Sequence, residues 1–213
     1  MPKILEKTER RLGEKLFLKG DRCLGPKCAM VRRAYAPGAH GMKKAGARSR
    51  GRRSVSEFAE LMREKQKLRF FYGLDNHDVK RYVERASARP GLFDDNLIRM
   101  IESRLDVTVR RLGFSPSGRS ARQAVNHGHI MVNGRCVRTP SYETKKGDRI
   151  ELTPRVGRTA GFAGIGERMS AIQTPPWLTP DPEQKIGTVS GIPDRGLSGV
   201  SFDAVKVKEF YSR

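Results

Sequence analysis

Three cysteines in 213 residues, a single tryptophan and no long apolar run leave several protein classes without their material. Three thiols are too few for the disulfide framework of a small secreted domain, so the chain is expected to work inside the cell. No stretch nears the ~20 apolar residues that a bilayer-crossing helix needs, and no apolar core follows the first cations as in a secretory leader. Residues 3 to 19 are weakly amphipathic, but Glu6, Glu9 and Glu14 interrupt the basic face, which argues against docking on a membrane. Gly161, Gly164 and Gly166 do not form the dinucleotide fingerprint. Cys136 has no base beside it in sequence, so neither a nucleotide cofactor, a nucleophile nor a small-molecule substrate is expected.

What the chain has is positive charge. Lys and Arg outnumber Asp and Glu by 43 to 23, a net charge of +20, with a pI near 10.5. Such a chain repels itself unless a polyanion is near, and nucleic acid is the partner that fits. Over half of the excess lies in the first 53 residues. Apolar residues at 37% are enough for a core but not a generous one.

Residues 1–53 combine cations with Gly20, Gly25, Pro26, Pro37, Gly38, Gly41, Gly46 and Gly51 and have few apolar anchors. They are expected to be a basic, extended arm that is ordered on RNA. Helical structure is expected from Ser54, where Ser54 and Glu57 make a capping box and Phe58, Leu61, Met62, Leu68 and Tyr72 follow at helical spacing. A second helix starts at Asp75 or Asn76. A third starts near Asp94, with a break near Ser103 where the apolar face shifts register, and a short one runs from Ser117 to His127. The period then drops to 2. His129 to Val132 alternates, Asn133-Gly134 marks a tight hairpin, and Arg135 to Val137 returns. Further strands are expected near Tyr142 and Ile150. Beyond Thr153 the chain reads as irregular, with Trp177 as a packing anchor, until Phe202, Val205, Val207 and Phe210 offer an apolar face to the core.

The cations between Arg104 and Arg135 are arranged for work. Arg104, Arg110 and Arg111 lie on one helix and Arg119, Arg122 and Gln123 on the next. His127, His129, Asn133 and Arg135 flank the hairpin. Guanidinium groups bind two phosphate oxygens at once, and Asn and His add hydrogen bonds to a 2′-OH or a base edge.

The stretches Arg104–Asp106, Leu112–Phe114, Ser120–Val125 and His127–Gly134 resemble the S4 RNA-binding domain. The runs Leu18–Cys23, Pro37–Gly41, Leu61–Arg69 and Glu209–Arg213 widen that to a resemblance, over nearly the whole chain, to the bacterial-type small-subunit ribosomal protein S4 family. The resemblance implies an α+β protein with a mainly helical domain at residues 54–102, completed by 154–213, and an S4 domain inserted at 103–153. It implies a non-catalytic, cytoplasmic ribosomal protein that binds the 5′ domain junction of 16S rRNA early in assembly. A contact with ribosomal protein S5 and a position beside the channel through which mRNA enters are implied as well. The rRNA contacts would come from Arg32, Arg33 and His40, from Arg63, Lys65, Lys67 and Arg69, and from the S4-domain set with Gln123. Lys43, Lys44, Arg48, Arg50, Arg52 and Arg53 would be the cluster near mRNA.

Cys23 and Cys28 have a spacing compatible with zinc. Some family members add two further cysteines, and here Glu6 and Glu9 stand in their places. A closed zinc site needs four ligands, so no metal is expected. Two other functions use the same module: an RNA-modifying enzyme, for which residues after the module offer no acid–base constellation, and a repressor of its own mRNA.

Overall fold

Ser56, Asp75, Ser117 and Asp203 each start a helix by accepting from a free backbone amide. In a computed structural model, described for residues 5–41, 56–154, 156, 162, 164–194 and 202–212, the contacts divide the chain into two units. One is Met1–Val83 with Phe202–Arg213, and the other is Glu84–Ser201.

In the first unit, helix α1 (Leu5–Leu12) leads through a turn at Gly20–Cys23 to the short α2 (Ala29–Arg32). These elements correct the expectation of an extended arm over residues 5–41. The sequence hides their anchor, because it is an acid. Glu9 is 1% exposed, and its Oε1 accepts from the Leu16 and Leu18 amides, both at 3.1 Å. Leu16, Leu18, Cys23 and Cys28 are buried around it. Arg10 Nε donates to the Arg33 and Tyr35 carbonyls at 2.8 and 2.9 Å, which pins the far end of the segment.

Helix α3 (Glu57–Phe71) is capped by Ser56, whose hydroxyl accepts from the Ala59 amide. Ser54, the expected cap, lies outside the described residues. In α4 (Asn76–Ala88) the Asp75 carboxylate accepts from the Asp78 amide at 2.7 Å. The C-terminal helix α9 (Ala204–Ser212) returns to α3, as its apolar residues require. Phe58 stacks with Phe210 at 5.8 Å between centroids, Val207 is buried, and the Asp203 amide donates to Glu64 at 3.0 Å. Val205, expected inside, is exposed.

The second unit holds α5 (Phe93–Glu102), α6 (Leu105–Arg111) and α7 (Gly118–Asn126), which Ser117 caps. The break at Ser103 is present. Past it, the Leu105 and Asp106 amides, which start α6, donate to the Tyr142 and Pro140 carbonyls. Strands β1 (Ile130–Val132), β2 (Arg135–Cys136) and β3 (Arg149–Leu152) form the expected hairpin and its neighbour. Asn133 and Gly134 both have positive φ, which a tight two-residue turn demands.

The sheet does not end at β3, a correction to the expected irregular tail. Helix α8 (Ile165–Ala171) buries Ile165 and Met169 one turn apart. Strands β4 (Leu178–Asp181) and β5 (Ile186–Val189) then extend an antiparallel sheet of order β2-β1-β3-β5-β4. Residues 164–194 therefore belong with the S4-domain sheet and not with the helical unit, and the first unit takes back only the segment from Phe202. One core joins Leu105, Leu112, Phe114 and Val125 to Ile130, Ile150 and Val189, with Trp177 buried in it as a packing anchor. The packing leaves no excess room here: a Cβ on Gly187 would lie 2.3 Å from a Leu112 methyl.

Candidate RNA-binding surface

Helix α7 shows how the second unit turns its polar groups outward. Ala121, Ala124 and Val125 face the core, which leaves Arg119, Gln123 and His127, at four-residue spacing, as one exposed ridge. The ridge runs on through the turn at Gly128 to His129. The His127 and His129 rings meet edge to face at 5.6 Å, and His129 meets Phe162 at the same distance. Beside the ridge an open cleft of about 200 Å³ is lined by Ser120, Gln123, His127, His129 and Phe162, with Phe114 at its base.

The hairpin is tied to the end of this ridge. Cys136 Sγ donates to the Gly128 carbonyl at 3.3 Å. Gly128 has φ +72°, and a Cβ there would crowd Cys136 and Arg138. That places Arg138 beside the turn, and Arg135 is exposed on β2. Arg138, which the sequence reading did not single out, is exposed two residues past the end of β2.

Several other residues expected to contact RNA are engaged within the protein. Arg104 is 2% exposed and binds Asp106 in a fork, Nε to Oδ1 at 2.9 Å and Nη2 to Oδ2 at 2.7 Å. It is not a surface group. Arg111 pairs through Nε and Nη2 with the buried Glu102 carboxylate. Arg122 leans toward Asp106, with 3.8 Å between Nη1 and Oδ2, and Arg110 is half-buried on α6. Asn133 spends its amide on the fold: Nδ2 donates to Asp148 and Oδ1 accepts from the Arg149 amide, both at 2.9 Å.

The α3 set divides in the same way. Arg63 Nη2 donates to the Leu12 carbonyl at 2.6 Å. Lys67 Nζ lies 2.7 Å from Glu14 and 2.6 Å from Glu64. Burial lowers the Lys67 pKa, but the hydrogen bonds and charges of both glutamates outweigh it, so the net shift is upward. Lys65 is buried against aromatic rings and Arg69 is half-buried. Arg32, Arg33 and His40 are exposed. Lys43, Lys44, Arg48, Arg50, Arg52 and Arg53 lie outside the described residues.

The putting together of a zinc site from Cys23 and Cys28 fails on the remaining ligands. Glu6 pairs with Arg22 at 3.2 Å, and two amides occupy Glu9 Oε1. Among the described residues no third ligand atom converges with the two sulfurs within the span of one ion. Burial pushes the Cys23 thiol up, a backbone hydrogen bond at Lys19 opposes this, and the charges of Glu9 and Cys28 add to it. These residues do not fit a four-ligand metal. Asp75, His77 and Asp78 do cluster, but they are a helix start, with Asp75 as the cap and Asp78 paired to Arg81.

Two family models together cover most of the chain: the Ribosomal protein S4/S9 N-terminal domain matches residues 5–102 and the S4 domain matches residues 103–150. Small ribosomal subunit protein uS4 of Thermus thermophilus is 43% identical over 204 residues, which is 96% of this chain and 94% of that one. The chain belongs to the uS4 family. Two further uS4 proteins, from Pelotomaculum thermopropionicum and Syntrophomonas wolfei, are each 42% identical across the same shares of both chains. As a uS4 protein it is a structural component of the small ribosomal subunit and not an enzyme. No described helix is long and apolar enough to cross a membrane.

Proposed function

We propose that this uS4 protein works in the cytoplasmic ribosome by gripping the 5′ domain junction of 16S rRNA early in small-subunit assembly. The observation that carries this is the exposed ridge Arg119, Gln123 and His127, continued by His129, Arg135 and Arg138. It offers cations for phosphate and neutral donors and acceptors for 2′-OH groups on one face of a rigid sheet-backed unit. Arg32, Arg33 and His40 extend the grip from the first unit. Phosphate neutralisation and shape dominate, and base reading is secondary. Contact with ribosomal protein S5 and the approach of Lys43 to Arg53 to incoming mRNA complete the reading. Their support is the family alone.

Filter binding of the full chain to a transcript of the 16S 5′ domain tests it. Log affinity should fall linearly with log salt, and Arg119→Ala or Arg135→Ala should each flatten the slope by about 1. A salt-independent affinity, or wild-type slopes in both variants, would refute it.

A further inference from the structure

Glu9 and Arg10, neighbours on α1, hold different halves of the segment that follows. Glu9 takes the near half, at the Leu16 and Leu18 amides. Arg10, half-buried, takes the far half. Its Nε donates to the Arg33 carbonyl at 2.8 Å and to the Tyr35 carbonyl at 2.9 Å, and its guanidinium carbon lies 5.1 Å from the centre of the Tyr35 ring. That ring flanks a tight turn. The Gly41 amide donates to the Gly38 carbonyl at 3.0 Å, and a Cβ on Gly41 would lie 1.8 Å from the Ala36 carbonyl oxygen and 3.4 Å from Tyr35 Cδ2. Arg32 and Arg33 lie at the start of the clamped stretch and His40 near its end, all three exposed.

Residues 34–41 have little else to hold them. Apart from Tyr35 and His40 they are Ala, Pro and Gly, which bury little surface. A loop that is loose in the free protein must give up its freedom when RNA binds, and a loop already held does not. Arg10 supplies that hold from outside the loop. A lysine there would keep the charge but lose the planar group that donates to two carbonyls and stacks on Tyr35.

We propose that Arg10 is a positioning residue for RNA binding: it fixes the backbone that carries Arg32, Arg33 and His40 and makes no contact with RNA itself. This role rests on the RNA-binding reading of those three side chains.

The test uses the full chain and the 16S 5′ domain transcript, well below the melting temperature. Arg10→Met and Arg10→Lys should each weaken binding roughly tenfold. In both free variants the Gly41 amide should exchange its hydrogen faster, while the Leu18 amide, held by Glu9, keeps its protection. The triple variant Arg32→Ala/Arg33→Ala/His40→Ala retains the carbonyls that Arg10 grips and should flatten the salt slope by about 2. Adding Arg10→Met to it should change affinity by less than about twofold and leave the slope where it is. A tenfold loss that persists in the triple background, or Arg10→Lys binding like wild type, would make Arg10 a direct phosphate contact and overturn the proposal. Loss of protection at Leu18 as well would make Arg10 a general support of the segment and overturn it too. Wild-type affinity in both Arg10 variants, beside a weakened triple variant, would overturn it and leave the RNA reading standing. A triple variant with wild-type affinity and slope would overturn both the proposal and the place of those three residues in the grip.

Discussion

Replacing Arg104 and Asp106 separately and together distinguishes a residue that holds the fold from one that holds RNA. The two side chains are 2% and 4% exposed and joined by two short hydrogen bonds. Asp106 Oδ1 also accepts from the Val107 amide at 3.0 Å. Removing one partner leaves the other charge buried, which costs about 3–5 kcal/mol. Arg104→Met should sit near the lower end, about 3 kcal/mol, because Arg122 Nη1 already lies 3.8 Å from Asp106 and compensates in part. In a unit of roughly 120 residues a loss of about 4 kcal/mol lowers Tm by roughly 15 °C. The double variant Arg104→Met/Asp106→Leu leaves no charge stranded and should return to within about 1 kcal/mol of wild type or exceed it. The chain's one tryptophan, Trp177, is buried in the core of this unit, so its fluorescence during urea unfolding follows this unit. RNA affinity, measured well below the melting temperature, should be the same for the double variant and wild type. The reasoning is refuted if the double variant is stable yet binds RNA tenfold more weakly. It is also refuted if Arg104→Met costs less than about 1 kcal/mol.

Three other outcomes follow from the same geometry. Lys65 and Lys67 should titrate on opposite sides of the ordinary lysine pKa in a side-chain NMR titration. Lys67, raised, stabilises fully below the unfolded lysine value and loses that contribution as pH climbs through its folded one. Lys65, lowered, is destabilising at neutral pH, and stability recovers as pH rises from its folded value to the unfolded one; coincident titrations would contradict both environments. With iodoacetamide, exposed Cys136 should react first, and Cys23 and Cys28 only on unfolding, while a chelator leaves Tm unchanged; stoichiometric zinc in the purified protein would overturn the metal reading. Gly187→Ala should destabilise by about 1–3 kcal/mol, since its Cβ meets Leu112 at 2.3 Å, and a neutral effect by urea unfolding would show that α6 and β5 separate easily.

The parts of the fold legible in sequence were those fixed by neighbours in the chain. Ser117 and Asp75 announce helix starts, the register shift at Ser103 announces a break, and Asn133-Gly134 announces the hairpin. What failed was decided by distant partners. Glu9 reads as a surface charge until two loop amides are folded onto it. Ile165 and Met169 are only two apolar residues among glycines, and their core partners lie on other elements. Strands β4 and β5 carry Pro180 and Gly187, which weaken a strand signal, and Gly187 makes sense only once Leu112 lies over it. Which cations face solvent was half legible for the same reason. Composition cannot tell an arginine that faces solvent, such as Arg119, from one such as Arg104 that an aspartate two residues away draws inside.

The pairing of β3 with β5 also sets the size of the piece that could be moved to another protein. A fragment ending at residue 153 would strip Arg149, Ile150 and Glu151 of Thr188, Gly187 and Ile186, their cross-strand partners. Its sheet would then present a bare edge, which invites pairing with any passing strand, including that of a second fragment. A graft meant to carry this RNA grip should therefore extend through Val189, with Trp177 included, or it will deliver an aggregation-prone hairpin in place of a binding module.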